Sequence, residues 1–357
     1  MFYSSGKNFW DNKKVFITGH TGFKGSWLCL LLNELGAKVT GYSLPPDSKK
    51  IIFNQIRIKK GIIKKSYYGD IRDKKKLLFA IKESKPDIIF HLAAHAIVLD
   101  SYKNSVETFE TNFNGTLNIL EIIKKFKIKS SIIVTTDKVY KNNNKNVAFK
   151  EESPLGGEDP YSASKSATEI LVDSYNKSFF YNKLFVSTVR AGNVVGGGDR
   201  SNNRIIPDFF YSFYKKKKLI VRSPSSIRPW QFVLEPLIGY LIVAEANYKK
   251  KLPKVSRCWN FSPLNHKVYN VKFIIETFRK EFKVNVIYLK IINKIEKNFL
   301  KLSSLKARKY INWKPYYNIK KTIKETIAWE KTYKEKNEII NFCIFQIKSY
   351  LRIIKWI

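Results

Sequence analysis

A tyrosine and a lysine four residues apart, Tyr161 and Lys165, share one face of a helix whose start is signalled by Asp159-Pro160. An ammonium near a phenol favours the phenolate, and a phenolate is a usable base. The spacing alone says little in a lysine-rich chain, because Tyr3/Lys7, Tyr211/Lys215, Tyr310/Lys314 and Tyr317/Lys321 repeat it. Context separates the first pair: its helix follows an apolar strand that ends in Thr135-Thr136-Asp137-Lys138. A hydroxyl, a carboxylate and an ammonium at one strand end form a set able to move protons. A second constellation, Gly19-His20-Thr21-Gly22-Phe23-Lys24-Gly25, lies between an apolar strand and an apolar helix. Glycines so spaced make a tight turn that delivers a pyrophosphate to the N-terminus of the helix. Gly19, Thr21, Gly22, Phe23 and Gly25 are therefore candidate dinucleotide ligands.

The elements that must hold these residues follow from the hydrophobic rhythm. Short apolar runs at Lys14–Thr18, Lys38–Tyr42, Ile62–Ser66, Ile88–Leu92, Ser131–Thr135 and Leu184–Arg190 read as strands. Between them, helices are predicted at Gly25–Leu35, Asp73–Ser84, Asn112–Lys125 and Tyr161–Asn176, with a later one at Leu234–Tyr248. Strands alternating with helices predict an α/β fold, a Rossmann-like doubly wound parallel sheet. Beyond Arg190 the rhythm breaks into loops such as Gly196-Gly197-Gly198 and Arg228-Pro229-Trp230. Residues 1–190, completed by 230–262, are expected to form the NAD(P)-binding domain, and 191–357 a smaller, mainly substrate-binding domain. Asp70 and Ile71 end the third strand region, and Ala93 and Ala94 close the fourth with residues small enough for a cofactor to approach the backbone. The second strand ends in Gly41-Tyr42-Ser43 without an acidic residue to grip ribose hydroxyls, which leaves NAD against NADP open.

Composition narrows the partners. Of 66 basic residues against 29 acidic ones, eleven are arginine, and the net charge is +37. Such an excess attracts polyanions, but the lysines are dispersed, as in Lys74–Lys76 and Lys215–Lys218, and read as solvated surface rather than a nucleic-acid site. Cys29, Cys258 and Cys343 are too few and too far apart for a disulfide framework or a metal site, in keeping with a reducing cytoplasm. No apolar run is long enough to span a bilayer, and no signal-peptide layout opens the sequence. The tail Ile339–Ile357 sets Lys348, Arg352, Lys355 and Trp356 among apolar residues, which suits an amphipathic face or packing on the core or on a partner subunit.

Several runs together resemble the CDP-glucose 4,6-dehydratases, members of the extended short-chain dehydrogenase/reductase family. They are Val15 to Trp27, Tyr68 to Asp73, Thr136-Asp137-Lys138, Asp159-Pro160-Tyr161-Ser162, Arg190-Ala191-Gly192-Asn193-Val194, Gly196 to Asp199 and Ile227 to Gln231. Asp137-Lys138 is the discriminating pair, since dTDP-glucose dehydratases carry Asp-Glu there. The resemblance implies NAD as cofactor, a nucleotide-sugar substrate, a homodimer and a cytoplasmic role in deoxyhexose synthesis. It implies that Tyr161 is the base at the sugar 4-hydroxyl, assisted by Thr136 and Lys165, with Asp137 and Lys138 as the acid/base pair of water loss. It also implies that Asp70 lies near the adenine amine, that Asn112 positions Lys165 through a water, and that Arg190, Asn193, Arg204 and Arg228 contact the substrate. The chain departs from the pattern at His95 and Leu99, where the family has Gln and Arg, at Phe232 in place of His, and at Ser303 in place of Asp. A 4-epimerase, a dehydratase acting on another nucleotide sugar, or a non-catalytic basic protein on the same fold are the competing readings.

Overall fold

The computed structural model describes all residues except 60, 145, 181–182, 253–256, 264–268 and 290–298. Seven parallel strands build its central sheet: β1 (Lys14–Thr18), β2 (Lys38–Ser43), β3 (Lys65–Tyr68), β4 (Ile88–His91), β5 (Ser130–Val134), β6 (Phe185–Ala191) and β7 (Cys258–Phe261). Their spatial order is β7-β6-β5-β4-β1-β2-β3. The order reverses between β1 and β4, and a crevice opens beyond the carboxyl ends of strands at such a point.

Both faces of the sheet are covered, as the continuous apolar character of the inner strands requires. Val15 and Ile17 of β1 face a core shared with α1 (Phe23–Glu34), while Phe16 points the other way, towards α2 (Lys74–Ser84), α3 (Gly115–Phe126) and α4 (Pro160–Ser178). The first face is completed by α5 (Leu234–Tyr248) and, after α6 (Ile319–Lys334), by α7 (Ile339–Ile353), whose Ile340, Cys343 and Ile347 are buried. A separate smaller core unites Ile206, Phe209, Phe210, Trp230, Ile274, Phe278 and Ile323. The chain beyond residue 190 is thus divided: part of it forms the small core, while β7, α5 and α7 return to the sheet.

Two expectations shift. The strand expected at Ile62–Ser66 forms at Lys65–Tyr68 instead, because Ile62 and Ile63 belong to a loop that packs against the first core. The helix expected from Asn112 begins at Gly115, preceded by a wider π-turn at Glu110–Asn114. Such turns recur at functional sites, and this one carries Asn112.

Candidate active site

The glycine turn is built as its spacing requires. Gly19 adopts φ +75°, and a Cβ there would lie 2.7 Å from the Ala93 nitrogen. A Cβ on Gly25 would come within 2.1 Å of the Gly19 carbonyl oxygen, so the turn closes tightly only with glycine. Gly22 is the N-cap of α1 and no side chain caps that end, which leaves first-turn amides available to an anion. The Thr21 hydroxyl lies 2.8 Å from the Ser43 hydroxyl at the end of β2. These features fit a dinucleotide diphosphate.

Around the turn, Asp70 is held by Arg72, whose guanidinium donates to both carboxylate oxygens at 3.0 and 2.8 Å and keeps the carboxyl below its usual range. Ile71 is buried against Gly115, where a Cβ would collide with it. Ala93 donates its N–H to Thr18 Oγ1 at 3.2 Å, and both Ala93 and Ala94 are half-buried at the crevice. Asn112 clamps the next residue in both directions, accepting from the His95 N–H at 2.9 Å and donating to the His95 carbonyl at 3.0 Å. Its amide also donates to Ser164 Oγ on α4.

α4 starts sharply. Asp159 caps it by accepting from the Ser162 N–H at 2.9 Å and its hydroxyl at 2.6 Å, and Pro160 occupies the first turn. One turn further in, Tyr161 and Lys165 are both buried, and the Lys165 ammonium donates to the Val134 carbonyl at 3.1 Å. Burial pushes Lys165 down to about 7, with the charge of Lys24 adding to the effect and Glu169 opposing it. The Tyr161 phenol is raised by burial, against the hydrogen bond with Thr136 and the charges of Lys138 and Arg204. Desolvation of this buried phenol outweighs the pull of the neighbouring cations.

The end of β5 adds the remaining polar groups. Thr136 Oγ1 and Lys138 Nζ each donate to Asp137 Oδ1 at 3.0 Å. Asp137 is buried, and its other oxygen, Oδ2, has no hydrogen-bond partner among the described residues. A buried carboxylate oxygen left unpaired is costly, so Oδ2 is open to a donor from a ligand.

Of the four expected substrate contacts, Arg190 is overturned. Its guanidinium is buried and donates through Nε and Nη2 to the two carboxylate oxygens of Glu169, both at 2.8 Å, with Nη1 bonded to the Tyr140 hydroxyl at 2.7 Å. Its donors face the sheet and α4 rather than the crevice. Arg204 lies at the cleft, 3.3 Å from Asp199 Oδ2 and 3.4 Å from the Ala96 carbonyl. Arg228 donates to the Ile227 carbonyl beside it, and the Asn193 carbonyl accepts from Gln231.

The departures are accommodated differently. Phe232 is buried against Trp27 and Tyr317, so that position serves packing. Ser303 pairs its backbone N–H with the Phe149 carbonyl at 2.8 Å. His95 places Nδ1 2.7 Å from Thr108 Oγ1, and Leu99 is half-buried in the helix Val98–Lys103.

Sequence reasoning missed Lys24. Its ammonium, pushed down to about 8 chiefly by burial, sits within electrostatic reach of Arg204, Asp137, Asp199, Lys138 and Lys165. The signal was present, since a lysine inside a glycine turn that opens an apolar helix has little solvent to reach.

The sequence matches the GDP-mannose 4,6 dehydratase family over residues 16–326. The chain belongs to this family. Among its relatives, CDP-glucose 4,6-dehydratase of Salmonella typhimurium is 39% identical over 97% of this chain and 98% of its own length. The UDP-glucuronate 4-epimerase of Thermodesulfobacterium geofontis is 26% identical, covering 88% of this chain and 95% of the relative. The solved structure of dTDP-glucose 4,6-dehydratase from Streptomyces venezuelae superposes with TM-score 0.77 at 18% identity, covering 91% of this chain and 99% of that one. The likeness to that structure confirms the doubly wound fold.

Proposed function

We infer that this chain is a CDP-glucose 4,6-dehydratase, an NAD-dependent hydro-lyase yielding CDP-4-keto-6-deoxyglucose. The observation that carries the reading is the Asp137–Lys138 pair beside Tyr161, with Asp137 Oδ2 buried and unpaired. An enzyme that only inverts carbon 4 has no use for a second acid/base pair. The 39% identity to a CDP-glucose dehydratase over nearly the full length supports the same substrate.

NAD bound at the glycine turn would supply the hydride acceptor for carbon 4 and the hydride donor for carbon 6. The residues of the chain do the rest. Tyr161 takes the proton of the 4-hydroxyl, which Thr136 orients through the hydroxyl it already shares with Tyr161. Lys138 and Arg204 supply positive charge that favours the phenolate, Lys165, one turn along α4, would add to it in its protonated form, and Asn112 fixes the loop at His95 against α4. The ketone at carbon 4 acidifies the proton on carbon 5, and Asp137 and Lys138 transfer the protons by which water leaves across carbons 5 and 6. Gly19, Thr21, Gly22, Phe23 and Gly25 would cradle the cofactor diphosphate, with Asp70, Ile71, Ala93 and Ala94 lining the rest of its path. Asn193, Arg204 and Arg228 are proposed for the sugar nucleotide.

We place the sheet, with segment 230–262, as the cofactor domain and the small core as the substrate domain; residues 253–256 of that segment lie outside the described residues. A homodimer is supported by exposed Tyr102, Val106, Phe109 and Ile170, on two short helices and the α4 they pack against. The three cysteines are unbridged, in keeping with the cytoplasm. Incubation with CDP-, dTDP-, UDP- and GDP-hexoses, assayed for a 4-keto-6-deoxy product, tests the reading. Product from CDP-glucose supports it, and product only from another nucleotide overturns the base assignment.

A further inference from the structure

The last helix has two faces with different chemistry. Its inner face, Ile339, Ile340, Cys343, Ile347, Tyr350 and Leu351, is buried in the sheet-side core. On its outer face Phe345 is 61% exposed and Ile353 46%, and the chain ends on Ile357 at 47%. Phe345, Lys348 and Arg352 follow at intervals of three and four, so they form one stripe along the helix. Lys348 pairs with Glu34 of α1 at 3.5 Å, Lys355 stands exposed just beyond, and no acidic residue occurs between Ile339 and Ile357. The N-terminal segment meets the end of this helix, where Gly6 abuts Trp356 and an added Cβ would lie 3.0 Å from the ring.

We propose that this outer face of α7 and the residues after it rests on an anionic lipid surface, holding the enzyme at a membrane it does not cross. Charge complementarity selects the partner. Two-fold pairing with another copy would bring Arg352 and Lys355 of both copies together, and like charges across an interface oppose docking. A nucleic acid would satisfy the cations but leave Phe345, Ile353 and Ile357 in water. A headgroup layer takes both, with basic groups at the phosphates and apolar side chains at the acyl boundary. Because the inner face is already committed to the core, few apolar groups remain to insert. The association is therefore reversible and weakened by salt.

The test is co-sedimentation of the full-length protein with vesicles of phosphatidylcholine alone or mixed with phosphatidylglycerol. Binding to the anionic vesicles only, falling as salt rises, is the expected result. Arg352→Glu with Lys355→Glu, and separately Phe345→Ser with Ile353→Ser, should each lower binding about tenfold. Lys215→Glu with Lys217→Glu makes the same change in net charge elsewhere and should cost little. Thermal melts confirm that each variant is folded. The proposal fails if the wild type ignores anionic vesicles, or if the distant charge reversal costs as much as the local one. It also fails if the apolar variant binds vesicles normally, as a purely electrostatic polyanion site would. Dissociation of an oligomer by Phe345→Ser, seen in light scattering, would assign the face to a second copy instead.

Discussion

Arg190 of β6 and Glu169 of α4 form a buried two-pronged ion pair, with Nε to Oε1 and Nη2 to Oε2 both at 2.8 Å. Glu169 stands one helical turn beyond Lys165 and also accepts from Thr135 and Thr188, at 2.5 and 2.6 Å. The pair thereby fixes the helix carrying Tyr161 and Lys165 against the strands beside it. Arg190→Met should destabilise the fold by about 3–5 kcal/mol, since it strands a buried carboxylate. The folded fraction should bind CDP as the wild type does. Urea unfolding and CDP titration check this; lost CDP affinity without lost stability would restore a substrate role.

The cofactor turn gives a second prediction. In Gly25→Ala the new Cβ would stand 2.1 Å from a backbone oxygen, so the turn must open. Strain of this kind stores about 1–3 kcal/mol, and NAD affinity should fall about tenfold or more. Calorimetric titration of apo-protein measures it, and the same titration with NADP tests the preference for NAD. Tighter binding of NADP would overturn that preference.

What could be read without the structure was what depends on local spacing. The glycine turn, the Asp159-Pro160 helix start and the Tyr161/Lys165 register are short-range features, and the structure forms each of them. The failures are long-range. β3, at the edge of the sheet, reads Lys65-Ser66-Tyr67-Tyr68 and is half-exposed, so it lacks the apolar signature of an inner strand, while the apolar Ile62-Ile63 before it packs as loop. Arg190 looked like a phosphate ligand because nothing in sequence shows that Glu169 points at it across the α4–β6 contact. The lowered Lys165 and the raised Tyr161 arise from burial that spacing cannot report.

Lys24 yields a pH prediction. Its folded value is about 8 against an ordinary 10.5, so between the two the unfolded chain holds a proton that the folded one has released. Stability from this group therefore rises with pH through that window, by up to about 1.4 kcal/mol per pH unit for one proton. Lys24→Met removes the buried charge. The apo-variant should be more stable than the wild type at pH 7, with the advantage shrinking towards pH 10. Removing Lys24 should also let Lys165 titrate above its present value of about 7. Urea midpoints across this range decide it, and parallel curves for the two proteins would show that Lys24 is not a buried charge.

Oxidation and elimination are assigned to different residues, and two variants separate them. Tyr161→Phe removes the base at the 4-hydroxyl, so no reduced nicotinamide should appear even transiently. Lys138→Met leaves Tyr161, Lys165 and Thr136 in place. It loses the cation that lowers the Tyr161 phenol, which slows oxidation, but Arg204 and the Thr136 hydrogen bond still act on that phenol. It also strips Asp137 of its 3.0 Å ammonium partner and removes one proton carrier from water loss. A positioned acid or base typically contributes about 100- to 10,000-fold in rate, so dehydration should fall by that factor. Oxidation then outruns elimination, and reduced cofactor with 4-ketohexose should accumulate in a single turnover followed at the reduced-nicotinamide absorbance. A Lys138→Met protein that dehydrates at the wild-type rate, or that never shows the reduced cofactor, would remove Lys138 from the elimination step.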